Sequence, residues 1–394
     1  MNNFYKELDN TLDTLKETGT YKQLRYLQSP LSGKATVEGY NDLVMLCSNN
    51  YLGLADKPEL INDGIDALKR YGAGAASVRF ICGTYDIHKI LENKVAKFLN
   101  TEAALTYTSC WNANTAVIPS LLKAGDTVIS DELNHASIID GCRLCGKEVR
   151  RRVYLHADLS SLVQQLQEAD HNGTVLIITD GVFSMEGDIA PLPGIVELAK
   201  KYNALVMVDD SHSTGVIGET GRGTAEYYNL QSGVDIITGT FGKALGGAGG
   251  GFVAGKKSVI DLCIQRSRPH LFSNSLPPVL AAIALAAIEY LESHSEAVCS
   301  LHKKVKYFKD QLKEAGITFL EGDSAIIPII VGDTAKAISI AAEMLEKGVY
   351  AIGFGFPVVP EGKARIRIQI SDALTYDELD YALGIVMEVI HKKL

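Results

Sequence analysis

The chain has 394 residues, of which 46% are apolar and 22% charged, with 36 glycines, 11 prolines and a formal net charge of −9. That balance supports a large packed core and excludes intrinsic disorder. The acidic charge has the wrong sign for a protein that must neutralise the phosphates of nucleic acid, and the longest apolar run, 279–288, is too short to cross a bilayer.

In chain order, the first residues are charged, patterned as a helix and without an apolar h-region, so no secretory signal is expected. The seven cysteines are odd in number and scattered, which fits free thiols and a cytoplasmic protein. Residues 1–50 read as an N-terminal helix and a Gly/Ser/Pro-containing arm. From 51 to 285 apolar, β-branched runs alternate with helical patterns. Runs at 103–108, 127–131, 174–179, 204–208, 234–238 and 251–255 have the character of strands, and 193–203 is helical. Such alternation implies a mostly parallel sheet covered by helices. Residues 286–394 read as a smaller α+β domain: a long helical stretch from 278 to 316, strands at 325–331 and 364–370, and a helix at 334–347 stopped by Gly348. A last helix is opened by the capping box Thr375-x-x-Glu378.

In open α/β sheets, functional groups gather at the carboxyl ends of strands. Three of these ends are polar: 174–179 leads into Asp180, 204–208 into Asp209-Asp-Ser-His212, and 234–238 into Gly239-Thr-Phe-Gly-Lys243. A lysine in a crowded glycine-rich loop can form a Schiff base with an aldehyde cofactor. Pyridoxal phosphate (PLP) needs such a lysine, a carboxylate for its pyridine nitrogen and donors for its phosphate. Asp209 and Lys243 satisfy the first two. Ser109-Cys110-Trp111 joins a strand to a helix whose first N–H groups either cap ordinarily or receive a dianion. His135, in Asn134-His-Ala-Ser137, is either structural or stacks on a planar ring. Arg365 and Arg367 share one strand face, which is either salt-bridged or holds a carboxylate.

Other motifs fail. Gly250-x4-Gly255-Lys256 lacks the Ser or Thr of a P-loop, Gly72-Ala-Gly74 lacks the third glycine of a dinucleotide fingerprint, and no metal-ligand spacing stands out. Cys142-Arg-Leu-Cys145 is read as a chance spacing within a helix.

Taken together, these motifs resemble the α-oxoamine synthases, fold-type-I PLP enzymes that join an amino acid to an acyl-CoA with release of CoA. The resemblance runs through Ser48-Asn-Asn-Tyr-Leu-Gly53, Ser77-Val-Arg-Phe-Ile-Cys-Gly83, Asn134-His-Ala-Ser-Ile-Ile-Asp-Gly141 and Thr179-Asp-Gly-Val-Phe-Ser-Met-Glu-Gly187. It continues in Asp209-Asp-Ser-His212, Thr240-Phe-Gly-Lys243, Arg266-Ser-Arg-Pro-His-Leu-Phe-Ser-Asn-Ser275 and Ala364-Arg-Ile-Arg367. It implies a large domain with a mostly parallel, seven-stranded-type sheet and a smaller C-terminal domain. It also implies the following roles. Lys243 is the Schiff-base lysine and proton-transfer base, Asp209 pairs with the pyridine nitrogen, His212 with the ring hydroxyl, and His135 stacks on the ring. Ser109, Cys110, Trp111 and Thr240 hold the phosphate, and Ser184 lies beside the ring. Ser273 and Asn274 reach the phosphate of a neighbouring subunit in a homodimer, and Arg367 takes the substrate carboxylate with Asn49 nearby. The expected reaction interconverts 2-amino-3-oxobutanoate and CoA with glycine and acetyl-CoA, as in threonine degradation. The alternatives are alanine with a pimeloyl thioester (8-amino-7-oxononanoate synthesis), both activities together, or an aminotransferase or lyase that uses no CoA.

Overall fold

The computed structural model describes residues 3–356 and 358–393. The chain forms two compact units. One comprises Asn49–Ser184 and Asp188–Ser300, the other Met1–Ser48, Met185–Gly187 and Leu301–Leu394. In sequence they divide inside the helix Glu296–Glu314, whereas the sequence pattern alone set the division at 285/286 and kept 1–50 apart.

A hairpin of β1 (Lys34–Val37) and β2 (Tyr40–Met45) comes first and belongs to the smaller unit. The larger unit holds β3 (Ala103–Tyr107), β4 (Thr127–Asp131), β5 (Arg150–Tyr154), β6 (Val175–Asp180), β7 (Leu205–Asp209), β8 (Ile236–Thr240) and β9 (Gly251–Gly255). They form one seven-stranded sheet in the order β3-β9-β8-β7-β6-β4-β5. All neighbours from β8 to β5 pair in parallel, and β9 alone runs antiparallel, to β3 and to β8. The seven-stranded, mostly parallel sheet expected from the sequence is therefore present.

The apolar runs explain why. Every residue of β4, β6 and β9 is buried, because helices cover both faces and each strand sheds water on both sides. Two apolar clusters result. One is built on Leu105, Val117, Ile138, Leu176 and Val253, the other on Ile129, Leu162, Ile177, Ile195 and Val206.

The smaller unit adds β10 (Ile326–Gly332), β11 (Val349–Tyr350), β12 (Ile352–Phe354) and β13 (Ala364–Gln369). They form the sheets β1-β2-β11 and β10-β13-β12. The strands β1, β11 and β12, of two to four residues, are too short for a readable period. The capping box is made as expected: Thr375 N–H donates to Glu378 Oε2 (2.9 Å) and Glu378 N–H to Thr375 Oγ1 (3.2 Å). One reading needs correction. The stretch 278–316 is two helices, Pro278–Ser293 and Glu296–Glu314. The Ser293 hydroxyl turns back onto the carbonyls of Glu289 and Tyr290, His294 stacks on the Tyr290 ring at 4.2 Å, and His294 leaves helical geometry at φ −134°, ψ 52°.

The Ser77–Gly83 motif has a structural role. Arg79 forks onto Glu92 at 2.8 and 3.2 Å, both side chains nearly buried, and Glu92 also accepts the Thr106 N–H of β3. Breaking such a pair strands a buried charge. Arg79→Ala should lower unfolding stability by about 3 kcal/mol, read from a denaturant midpoint; an unchanged midpoint would contradict this role.

Candidate active site

Strand pairing brings polar ends together. Asp180 at the end of β6 is in register with Asp209 at the end of β7, and β8 ends beside them at Thr240. Two buried carboxylates side by side cannot both hold a charge cheaply. Burial pushes Asp180 well above the usual carboxylate range, and the neighbouring charge of Asp209 adds to it. Asp180 instead accepts the backbone N–H of His135 at 2.8 Å.

Asp209, 3% exposed, is satisfied by donors. Oδ1 accepts the Ser211 N–H at 2.9 Å, Oδ2 accepts the Asn114 amide at 2.6 Å, and the Cys110 thiol lies 3.6 and 3.7 Å from the two oxygens. Asn114 also donates to Ser137 Oγ at 2.9 Å, and that hydroxyl sits 2.7 Å from His135 Nδ1. One chain of hydrogen bonds thus runs from the carboxylate to the imidazole. Burial pushes the His135 pKa down, Asp209 opposes this and Lys243 reinforces it. His212 Nδ1 meets the Tyr51 hydroxyl at 2.8 Å.

The other end of the site is built from main chain. Ser109, extended at φ −162°, caps the helix Cys110–Leu121 by accepting the Asn112 N–H at 3.1 Å. The first N–H groups of such a helix point at its N-terminus and favour an anion. Gly251 of β9 runs so close that an added Cβ would lie 2.3 Å from the Cys110 nitrogen. Thr240 donates to the Gly250 carbonyl (3.0 Å) and accepts the Gly242 N–H (3.1 Å), which fixes the loop that carries Lys243.

Together these groups line a cavity of about 200 Å³. It gathers Ser109, Cys110, Trp111, His135, Ser184, Asp209, His212, Thr240 and Lys243. Ser137 and Ser211, assigned no role from the sequence, line it too, as does Asp180, which the sequence marked only as a polar strand end. A buried polar residue inside the apolar helix, Asn114, was the one signal that could have pointed to this network.

Other expected residues lie elsewhere. Asn49, Ser273 and Asn274 do not line the cavity. Asn274 pairs with Val78, and Ser273 caps the short helix Arg268–Phe272. Arg367 lies on β13 in the smaller unit, donating to Gln369 Oε1 at 2.9 Å with its guanidinium 4.7 Å from the centre of the Phe354 ring. Arg365 is structural: nearly buried, it binds Met185 O at 2.8 Å and Glu186 Oε1 at 3.0 Å. Cys142 and Cys145 are buried free thiols at the end of the helix Ala136–Leu144, the first pushed up to about 12 by burial. No cluster among the described residues could hold a metal ion.

The donor set fits PLP. Asp209 offers a buried carboxylate, His135 an imidazole face and Lys243 an amine, and the helix N-terminus with Gly251 pressed against it offers an anion cradle. Fold and site define a fold-type-I PLP enzyme. Residues 41–386 match the family of class I and II aminotransferases. The chain is 48% identical over 382 residues to a 2-amino-3-ketobutyrate coenzyme A ligase from Salmonella typhimurium, with 96% of each chain covered. It is 47% identical over 379 residues to an 8-amino-7-oxononanoate synthase from Symbiobacterium thermophilum, again with 96% of each covered. A solved serine palmitoyltransferase with PLP as internal aldimine superposes with a TM-score of 0.93 at 30% identity, over 98% of both chains. The chain belongs to the α-oxoamine synthases within the aminotransferase class I and II family.

If Asn114 holds Asp209 and, through Ser137, His135, then Asn114→Ala should weaken PLP binding about tenfold in a fluorescence titration. Wild-type affinity in that variant would contradict the network's role.

Proposed function

We infer that the chain is a PLP-dependent glycine C-acetyltransferase, interconverting 2-amino-3-oxobutanoate and CoA with glycine and acetyl-CoA. The observation that carries this is near-half identity along almost the whole length to a 2-amino-3-ketobutyrate coenzyme A ligase, joined to a pocket that has Lys243 and Asp209 in place. PLP, when bound, supplies a protonated pyridine ring that accepts electrons from the substrate Cα. Asp209, solvated by its donors, keeps the ring nitrogen protonated. Lys243 would hold PLP through its Nζ and, freed when the substrate amine takes its place, would move the proton at the glycine Cα. His135, neutral at pH 7 because it is buried, stacks on the ring without competing for the charge of Asp209. His212, oriented by Tyr51, donates to the ring hydroxyl oxygen, and Ser184 lies beside the ring. The N–H groups of Cys110 and Trp111, the Ser109 hydroxyl and Thr240 hold the phosphate.

Two further assignments rest on the resemblance, and a third on the cysteines. Arg367 takes the substrate carboxylate, with Asn49 nearby. Ser273 and Asn274 serve the phosphate of a second subunit, so the enzyme works as a homodimer. The seven cysteines, all free thiols, support a cytoplasmic protein.

A second reading is favoured by the 8-amino-7-oxononanoate synthase relative: alanine and a pimeloyl thioester as substrates. Free thiol release, followed with glycine plus acetyl-CoA and with alanine plus pimeloyl-CoA, separates the two. The first pair should react at least about tenfold faster in kcat/KM. Preference for the second pair would overturn the assignment, and no thiol from either would point to chemistry without CoA.

A further inference from the structure

His156 follows β5, outside the pocket, in the segment that turns into the helix Leu159–Gln167. Each of its ring nitrogens meets a carboxylate. Nδ1 lies 3.1 Å from Asp131 Oδ1, and Nε2 lies 3.0 Å from Asp188 Oδ2. A neutral imidazole has one N–H and can donate to only one of them; an imidazolium donates to both. Burial opposes the charge, but the hydrogen bonds to Asp131 and Asp188 outweigh it and hold the ring's pKa up at about 10. The ring also packs edge-on against Phe183, with centroids 4.4 Å apart.

The segment is fixed in its own right. The His156 N–H donates to Glu132 Oε1 at 2.9 Å, and the Ala157 N–H to Asp131 Oδ2 at 2.9 Å. Ala157 takes φ +52°, a left-handed conformation that a residue with a Cβ adopts only where its surroundings impose it.

Both carboxylates root loops that line the pocket. Asp131 ends β4, four residues before His135, and its Oδ1 also accepts the Leu133 N–H at 2.9 Å. Asp188 lies four residues beyond Ser184, and its carbonyl accepts the Phe183 N–H at 3.1 Å. The titratable groups facing the ring are Asp131 from β4 and Asp188 after β6. Glu132 holds its backbone, and Tyr154 of β5, which burial keeps in its neutral form, stands beside Asp131.

We propose that His156 is a positioning residue for the pocket, a charged clasp that ties the loop bearing His135 to the loop bearing Ser184. The proposal rests on the PLP reading above. The clasp is closed while the ring is protonated and opens as pH rises through its folded pKa. Asp188→Asn removes one of the two carboxylates that stabilise the charge, so it should open at lower pH.

The test uses the holoenzyme as wild type, His156→Gln and Asp188→Asn, with the visible circular dichroism band of bound PLP and its Kd followed from about pH 7 to about pH 11. Hydrogen exchange of segments 131–135 and 181–184 is measured on the cofactor-free proteins. Both variants should bind PLP about tenfold more weakly, with a reduced band. The wild-type band should fall as pH passes about 10, and the Asp188→Asn band earlier. A merely structural histidine would lower the melting temperature and leave Kd and the pH midpoint alone. Folded variants with wild-type Kd, band and midpoint would overturn the proposal, and Asp188→Asn alone decides it if His156→Gln does not fold. A wild type that takes up no PLP would overturn the cofactor reading instead. Exchange would then decide the clasp: faster exchange in the variants supports it, and unchanged exchange overturns it.

Discussion

A charge buried at the end of a parallel strand is the constraint around which the larger unit is organised. Asp209 sits where β7 leaves the sheet, almost without water, and an isolated carboxylate there would cost several kcal/mol. The fold replaces the lost water with an amide from the helix Cys110–Leu121, a main-chain N–H two residues on, and a thiol at the helix start. Because the amide and the thiol come from a different element, the helix must enter at one angle and depth. That same placement aims its N-terminus into the pocket. Solving the carboxylate's solvation and building the anion cradle are one geometric act.

The neighbouring strand shows how charge is rationed. Asp180 and Asp209 are register partners, yet their surroundings differ: Asp180 faces burial and a like charge, while three donors surround Asp209. The cost of burial and of the like charge therefore falls on Asp180, which anchors the His135 backbone. The pocket's chemistry follows from this asymmetry and not from net charge, which is −9 for the whole chain.

Much of this was readable in the residues. The sheet was legible because strands buried on both faces are continuous β-branched runs, and Asp209, Lys243 and His135 were legible because polar groups ended those runs. The network behind them was not. Ser137 and Tyr51 look like ordinary helix or loop residues, and Asn114 stands out only as a polar residue in an apolar run, until tertiary packing brings them to His135, His212 and Asp209. Arg365 and Arg367 were indistinguishable by period, and only the contacts of Arg365 with Met185 and Glu186 mark it as structural. The break at His294 was hidden because a serine hydroxyl bonding back to its own helix leaves no trace in apolar periodicity.

The central claim is that Lys243, set among these groups, is the residue that joins the cofactor. The direct measurement is the absorbance spectrum of Lys243→Ala, purified with PLP, beside its turnover of glycine and acetyl-CoA. The account predicts a folded protein that lacks the visible band of the lysine-bound cofactor and has lost turnover. A variant that keeps that band, or that still releases CoA at the wild-type rate, would contradict it.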